Sequence, residues 1–530
     1  MSAPGTTLPA GQRPVASASR TVAAQTERAK LRRHFGRADM TFFLICTLVG
    51  VDTVGAIAAN GGQAFTWLIV LSALFFLPSA LLVAELGSTF PDEGGPYIWP
   101  RMAFGHLVGA VNNVLYWITN PVWLGGTLAT LAATVVATFF THSPDGTLSS
   151  LPFYLVTVPF VWIGVLAAVL SLRVGKWIPT LRAAMRVLVL GFFSVTVVVY
   201  GVRHGVHGVP ASDFSPTYAA FLALVPLLLF NYVGFELPSG AGEEMTDPAR
   251  DVPRAVAVSG VAAVLLYGIP ILGILLVLPS AQITNLGGFI DAIKTVFTVY
   301  GGSVTTTSAG VTTTLTGAGS VLGDVVAVGF ILTILTSGVT WIMGSDRALA
   351  VSGYDGAAPR SLGVFSARFG TPVRVNILSG VVATTVLVAA HSISGGSAAD
   401  YFGVVLGLAI SSTFVSYLAI FPAALVLRYK ARDTVRPYRV PFGTAGIWVS
   451  TVLATGFILI GCLALIWPGI GIGWFGTSGS SADGLPKAFA GRRLDYELAT
   501  IIPLVLFLAL GVVFWAMGAP TRRQLAADRG

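Results

Sequence analysis

Two carboxylates sit where apolar helices are interrupted, and no other residues of this chain are as well placed to do chemistry. Glu236 lies in the stretch 227–254, LLLFNYVGFELPSGAGEEMTDPARDVPR, which begins as an apolar helix and then meets Gly234, Glu236, Pro238, Ser239, Gly240 and Gly242. Asp52 lies in TFFLICTLVGVDTVGAIAANGGQAF, where Gly50, Asp52, Thr53 and Gly55 interrupt an apolar run halfway. Glycine is permissive and proline donates nothing to the helix ladder, so both stretches read as discontinuous helices. Broken backbone frees N–H groups that hold anions and carbonyls that hold cations. A carboxylate beside the break repels another carboxylate and attracts an ammonium. Each site also has a plainer reading. The helix before Glu236 simply ends there, and Asp52 caps the half-helix that restarts after it, Asp being a favoured N-cap.

The elements that must position these residues are membrane helices. The chain has 530 residues, 54% hydrophobic and only 10% charged, with mean hydropathy +0.80. A soluble domain carries roughly 25% charged residues. At roughly 20 apolar residues per crossing, about twelve spans are expected. They are 40–61, 64–87, 107–140, 152–171, 181–202, 217–240, 255–279, 321–350, 374–391, 401–427, 446–468 and 496–518. With the N-terminus inside, the inner segments hold 25 Lys and Arg and the outer segments five, which is the bias of cytoplasmic loops. The net charge of +8 therefore calls for no nucleic-acid partner. Cys46 and Cys462 lie in apolar runs and suggest neither a disulfide framework nor a metal site, and the histidines show no ligand spacing. No cofactor is expected.

The domains follow from the same map. Residues 1–37 read as a disordered cytoplasmic tail, 38–427 as a core of spans one to ten, 428–518 as a cytoplasmic loop with spans eleven and twelve, and 519–530 as a cytoplasmic tail. Residues 301–320, GGSVTTTSAGVTTTLTGAGS, read as a flexible outer loop of low complexity. Residues 285–299 before them read as a short amphipathic helix on the outer face, and 476–493 as a second polar outer loop. No span carries the repeated polar stripe of a channel, and no Ser–His, Cys–His, metal or phosphate-loop constellation points to an enzyme. The short tails offer no signalling domain for a sensor. The two interruptions lie five spans apart, and interruptions at corresponding positions of two halves point to the site of a membrane transporter.

Four further motifs carry a resemblance. They are 84–101, AELGSTFPDEGGPYIWPR; 235–254, FELPSGAGEEMTDPARDVPR; 347–359, RALAVSGYDGAAP; and 436–441, RPYRVP. In this order they resemble the amino acid–polyamine–organocation permeases. The resemblance covers roughly residues 38–445 and implies an all-α integral membrane protein of about 12 transmembrane helices. Two inverted five-helix repeats, with helices 1 and 6 discontinuous, are followed by two C-terminal helices. It implies secondary active transport of amino acids across the plasma membrane, coupled to protons or to a counter-substrate. Polyamines or other organic amines are the alternative substrates. Both termini are expected in the cytoplasm.

Site residues follow from the same resemblance. Members that exchange arginine and agmatine gate substrate with an aromatic residue six positions before a glutamate. Phe230 stands at that spacing from Glu236, the other reading being an ordinary packing residue. Backbone groups of Asn231, Tyr232, Val233 and Gly234 would then line the site. On the first break it would be lined by Val51, Asp52, Thr53, Val54 and Gly55. Many members carry a Gly-Ser-Gly-like run at this break, so Asp52 is a departure, and polyamine importers carry an acidic residue nearby. Residues 116–120, YWITN, resemble the substrate-facing side of span three, with Asn120 as a substrate contact or a helix–helix hydrogen bond. Sodium-coupled relatives place Ser/Thr pairs in span eight near the first break, where this chain offers Thr333, Thr336, Ser337 and Thr340. Sodium-independent members place a span-five cation there instead. Arg186 resembles that cation, or else snorkels to the interface.

Overall fold

The computed structural model describes residues 36–528 except 144–145, 171–176, 207, 240–244, 279–282, 284–286, 308–309, 394–397, 473–484, 486–488 and 490. Gly240 and Gly242, almost all of the 1–37 tail and most of the 476–493 loop therefore lie outside the described residues. Eleven described helices are long and apolar enough to cross a membrane. They begin with Gly62–Thr89 and His106–Phe139 and end with Gly443–Ile466 and Arg493–Ala527. The first span precedes them and is split into Arg37–Leu48 and Val54–Ala58, each piece too short to cross alone. Twelve spans result among the described residues, close to the bounds read from hydropathy.

The two breaks differ in form. In span one the helix ends at Leu48, five residues turn, and a five-residue helix follows. Span six, Tyr218–Ser239, is helical to Tyr232; Val233 is extended and Gly234 has φ +124°. A Cβ at Gly234 would stand 2.7 Å from Thr47 Cγ2 and 2.9 Å from the Trp341 ring, so no other residue fits without strain. Span three is continuous but widens into a π-helical turn at Trp123–Leu128, a feature common at functional sites.

The region 301–320 holds a β-hairpin where a loop is expected. Gly302–Thr307 (β1) and Gly310–Leu315 (β2) pair antiparallel, Gly302 opposite Leu315 and Thr307 opposite Gly310. Its repeated threonines read as low complexity, yet Thr is β-branched and favours an extended pleated surface. A short helix is present there as Gly288–Phe297, with Phe289, Ile293, Val296 and Phe297 buried. Burial pushes its Asp291 carboxyl up to about 6 against the opposing pull of Lys294. Residues Ala519–Ala527 form a helix rather than a plain tail, and Arg522 donates to the Gly356 and Trp515 carbonyls.

The four motifs meet at the end of the bundle opposite the hairpin. Glu85 accepts from Arg428 Nε at 2.6 Å and from the Val440 N–H at 2.8 Å, and Arg436 Nε lies 3.4 Å away. Glu93 pairs with Arg347 at 3.1 Å, and Arg101 pairs with Asp355 at 2.7 Å. Residues Gly95–Phe104 form a helix that opens at Gly94, whose φ is +86° and whose N–H donates to the Ser239 carbonyl at 3.1 Å. Desolvation offsets much of the attraction in such pairs, so each adds little to stability. These contacts tie the end of span two to span ten, and the segment after span two to span six and the end of span eight.

Candidate functional site

The site is built on one face of span three. Tyr116, Asn120 and Trp123 follow at helical spacing, so they stack along one side. The ends of this row each hold one of the two break carboxylates. Trp123 Nε1 donates to Asp52 Oδ2 at 2.9 Å. The Tyr116 hydroxyl donates to Glu236 Oε1 at 2.8 Å, and the Tyr417 hydroxyl of span ten donates to the same oxygen at 2.6 Å. Between them Asn120 gives its Nδ2 to the Tyr116 carbonyl at 3.0 Å. Its Oδ1 is buried without a protein partner, and so is Glu236 Oε2. Tyr116 to Trp123 spans about 10 Å along the axis at 1.5 Å per residue.

Asp52 does not cap the restarted half-helix. Thr53 occupies the N-cap position and makes no side-chain cap bond, while Asp52 turns its carboxylate to span three. It is 4% exposed and Glu236 1%, and among the described residues neither forms an ion pair. The side chains that donate to them are neutral, and Arg186 acts on Asp52 electrostatically without pairing with it.

Aromatic rings fill the space between the breaks. Phe230 meets Trp123 edge to face at 6.2 Å, Trp123 meets Trp341 at 6.4 Å, and Trp341 meets Tyr116 at 6.4 Å. Phe230 stays half-buried. Asn231 joins the two breaks: its Oδ1 lies 2.6 Å from the Thr53 hydroxyl and 2.6 Å from that of Tyr267. The Tyr267 hydroxyl also lies 2.7 Å from the Leu48 carbonyl and 2.6 Å from the Gly50 N–H. It thus serves the backbone groups left open where the first helix stops, groups that would be costly to bury unpaired.

Arg186 is fully buried and does not snorkel. Its Nη1 donates to the Ile45 and Cys46 carbonyls at 2.9 and 2.6 Å, and its Nη2 reaches the Thr333 carbonyl at 3.3 Å and the Ser337 hydroxyl. It therefore bridges span five, the end of the first half-helix and span eight.

Not every expected residue comes to this place. Tyr232 turns to span two, donating to the Leu68 carbonyl at 2.8 Å and stacking on Phe76 at 4.5 Å. Thr336 donates to the Thr333 carbonyl of its own helix. Val51, Val54 and Val233 are buried, and Gly55 packs against Gly288 of the Gly288–Phe297 helix. The residues missed are Trp123, Tyr267, Trp341 and Tyr417. Their signal was a polar-tipped ring inside an apolar span, which needs a hydrogen-bond partner when buried. Nothing local says which partner.

A family model described as "Amino acid permease" matches residues 35–477. A probable agmatine/putrescine antiporter of Lactococcus lactis subsp. lactis is 26% identical over 88% of this chain and 91% of its own length. A branched-chain amino acid permease of Bacillus subtilis is 23% identical over 86% and 91%. Among solved structures, a mutant of an Eremococcus coleocola manganese transporter superposes with a TM-score of 0.52 at 13% identity, covering 96% of this chain and 98% of that one. That likeness is one of fold.

Proposed function

The chain belongs to the amino acid permease family, and from that premise we propose a secondary active transporter that carries small amines and amino acids by alternating access around the site between the two breaks. The substrate's ammonium group is read by Asp52 and Asn120, with Phe230 stacked over it as the gate. One observation carries this reading: two buried carboxylates face the site, neither is in an ion pair among the described residues, Asp52 has only the electrostatic pull of Arg186, and the uncommitted oxygens of Asn120 and Glu236 are acceptors. An intramembrane charge needs an offset, and a cationic substrate supplies one. Between the two classes this geometry favours amines, and one similar protein bears the name of an agmatine/putrescine antiporter. Asn231, Gly234 and the Asp52–Thr53 turn line the path, Arg186 and Ser337 hold it in place of a sodium ion, and Glu236 takes part in gating.

The test is uptake into liposomes of a panel that includes putrescine, agmatine, leucine and lysine, with and without internal substrate. Amines are expected to compete best. Phe230→Ala is expected to weaken binding severalfold to tenfold, because a cation–π contact is worth about 0.5–2 kcal/mol. Unchanged affinity would remove Phe230 from the site, and a profile led by neutral amino acids would overturn the amine preference.

We place the protein in the plasma membrane with both termini and the motif-bearing end of the bundle in the cytoplasm, on the strength of the Lys and Arg bias. A cysteine introduced at exposed Ser303 in β1 is then expected to react with an impermeant maleimide from outside, since both native cysteines are buried. Labelling only after permeabilisation would invert the map.

A further inference from the structure

We propose that Asp346 is a proton-binding carboxylate that couples transport to the proton gradient through span three. The proposal rests on the transporter reading above but concerns a different place. Asp346 lies in span eight (Ala318–Tyr354) and is 0% exposed. Its Oδ1 accepts from Trp117 Nε1 at 3.0 Å and from the Ser379 hydroxyl at 2.7 Å, and its Oδ2 accepts from Asn376 Nδ2 at 2.6 Å. Spans three and nine supply these donors, and all are neutral.

The charged groups nearby are committed elsewhere. Arg347, the next residue, pairs with Glu93 and donates to the Gly370 carbonyl at 3.0 Å. Arg374 of span nine donates to the Ser361 carbonyl, and Arg101 pairs with Asp355. Arg186 meets span eight at Ser337, nine residues and about 13 Å away along the axis. Asp291 and Lys294 belong to the Gly288–Phe297 helix, toward the other end of span eight. Span four, Ser150–Leu170, brings no charged residue. Carboxyl groups inside a membrane mark substrate or ion pathways and proton relays.

The surrounding hydrogen bonds fit both protonation states. Asn376 Oδ1 is buried without a partner. When a proton binds Oδ2, a flip of this amide turns its donor away and lets Oδ1 accept the new O–H, so no buried donor is left facing another. Ser379 can keep a partner in either state, since Trp117 Nε1 also lies 2.8 Å from its hydroxyl. The readout is span three. Trp117 adjoins Tyr116, which holds Glu236, and Asn120 and Trp123 lie one and two turns on. Neutralising Asp346 weakens its hold on the helix that grips both breaks.

Two measurements test this in proteoliposomes and in detergent, using radiolabelled putrescine and leucine as probes. An inward gradient of one pH unit is worth about a tenfold accumulation per proton carried. Wild type is expected to show gradient-stimulated uptake of at least one probe. Asp346→Asn is expected to lose that stimulation and its pH profile while keeping counterflow exchange, and Asp346→Glu to keep both with a shifted profile. Retained stimulation in Asp346→Asn, or none in wild type, overturns the proposal. The infrared difference spectrum between acid and neutral pH tests it without transport. A protonated-carboxyl band present in wild type and missing in Asp346→Asn is expected, and an identical band in both overturns the assignment. Should neither probe be carried, the substrate reading fails while the spectrum still decides Asp346. Should Asp346→Asn not fold, Asn376→Leu is expected to shift the same band's pH midpoint, and an unmoved midpoint counts against the proposal.

Discussion

Replacing Asp52 by Asn is expected to lower affinity for cationic substrates by about 10- to 100-fold, the scale of one hydrogen bond to a charged group, roughly 1.5–3 kcal/mol. Asn keeps the size of Asp and an oxygen for the Trp123 indole, which now lies 2.9 Å from Oδ2. Folding and expression are therefore expected to stay near wild type. The substitution removes a charge that no protein cation pairs with directly, Arg186 acting on it without an ion pair, and with it the reason to prefer a substrate that brings a cation. Competition by putrescine, agmatine and neutral amino acids against one labelled substrate measures the change. An unaltered order of competitors would show that Asp52 serves the fold alone.

Replacing Arg186 by Met is expected to abolish transport and to lower the apparent melting temperature in detergent. The stem of the side chain remains, but the Ile45, Cys46 and Thr333 carbonyls and the Ser337 hydroxyl lose their shared donor in a place closed to water. A buried acceptor left unsatisfied costs about 1–3 kcal/mol, and more than one is orphaned here. Arg186→Lys is expected to recover part of the loss, since a single ammonium has no planar fork to reach both helices. On the proposed reading the same contacts stand in for a sodium ion, so transport in choline buffer is expected to match that in sodium buffer. Steep sodium dependence would deny Arg186 this role and return attention to Thr336 and Thr340.

Much of the architecture was legible in the chain because it is written locally. A run of about 20 apolar residues has no stable place but a bilayer or a core, and twelve such runs gave span bounds close to those observed. The breaks at 50–55 and 233–239 could be read because glycine, proline and a carboxylate each disfavour a lipid-facing helix by their own chemistry. The hairpin at 302–315 departs from expectation for a related reason: composition reads as low complexity, while the β-branching of threonine favours an extended strand.

The partners were decided by tertiary structure alone. Local propensity made Asp52 a helix cap, but span three brings the Trp123 indole to it from 71 positions away, and a directed donor inside a bilayer outweighs a capping preference. Glu236 is held by tyrosines 120 and 181 positions distant, and Arg186 by backbone carbonyls, which no residue type advertises. Tyr232 sits beside Asn231 in the chain yet faces span two instead of the site, because the last turn of a helix sends adjacent side chains to different sides. The sequence thus determined where the helices run and where they break. Which polar group answers which depended on long-range packing, since a buried donor or acceptor is satisfied by whatever the fold brings within 3 Å of it, however far away in the chain.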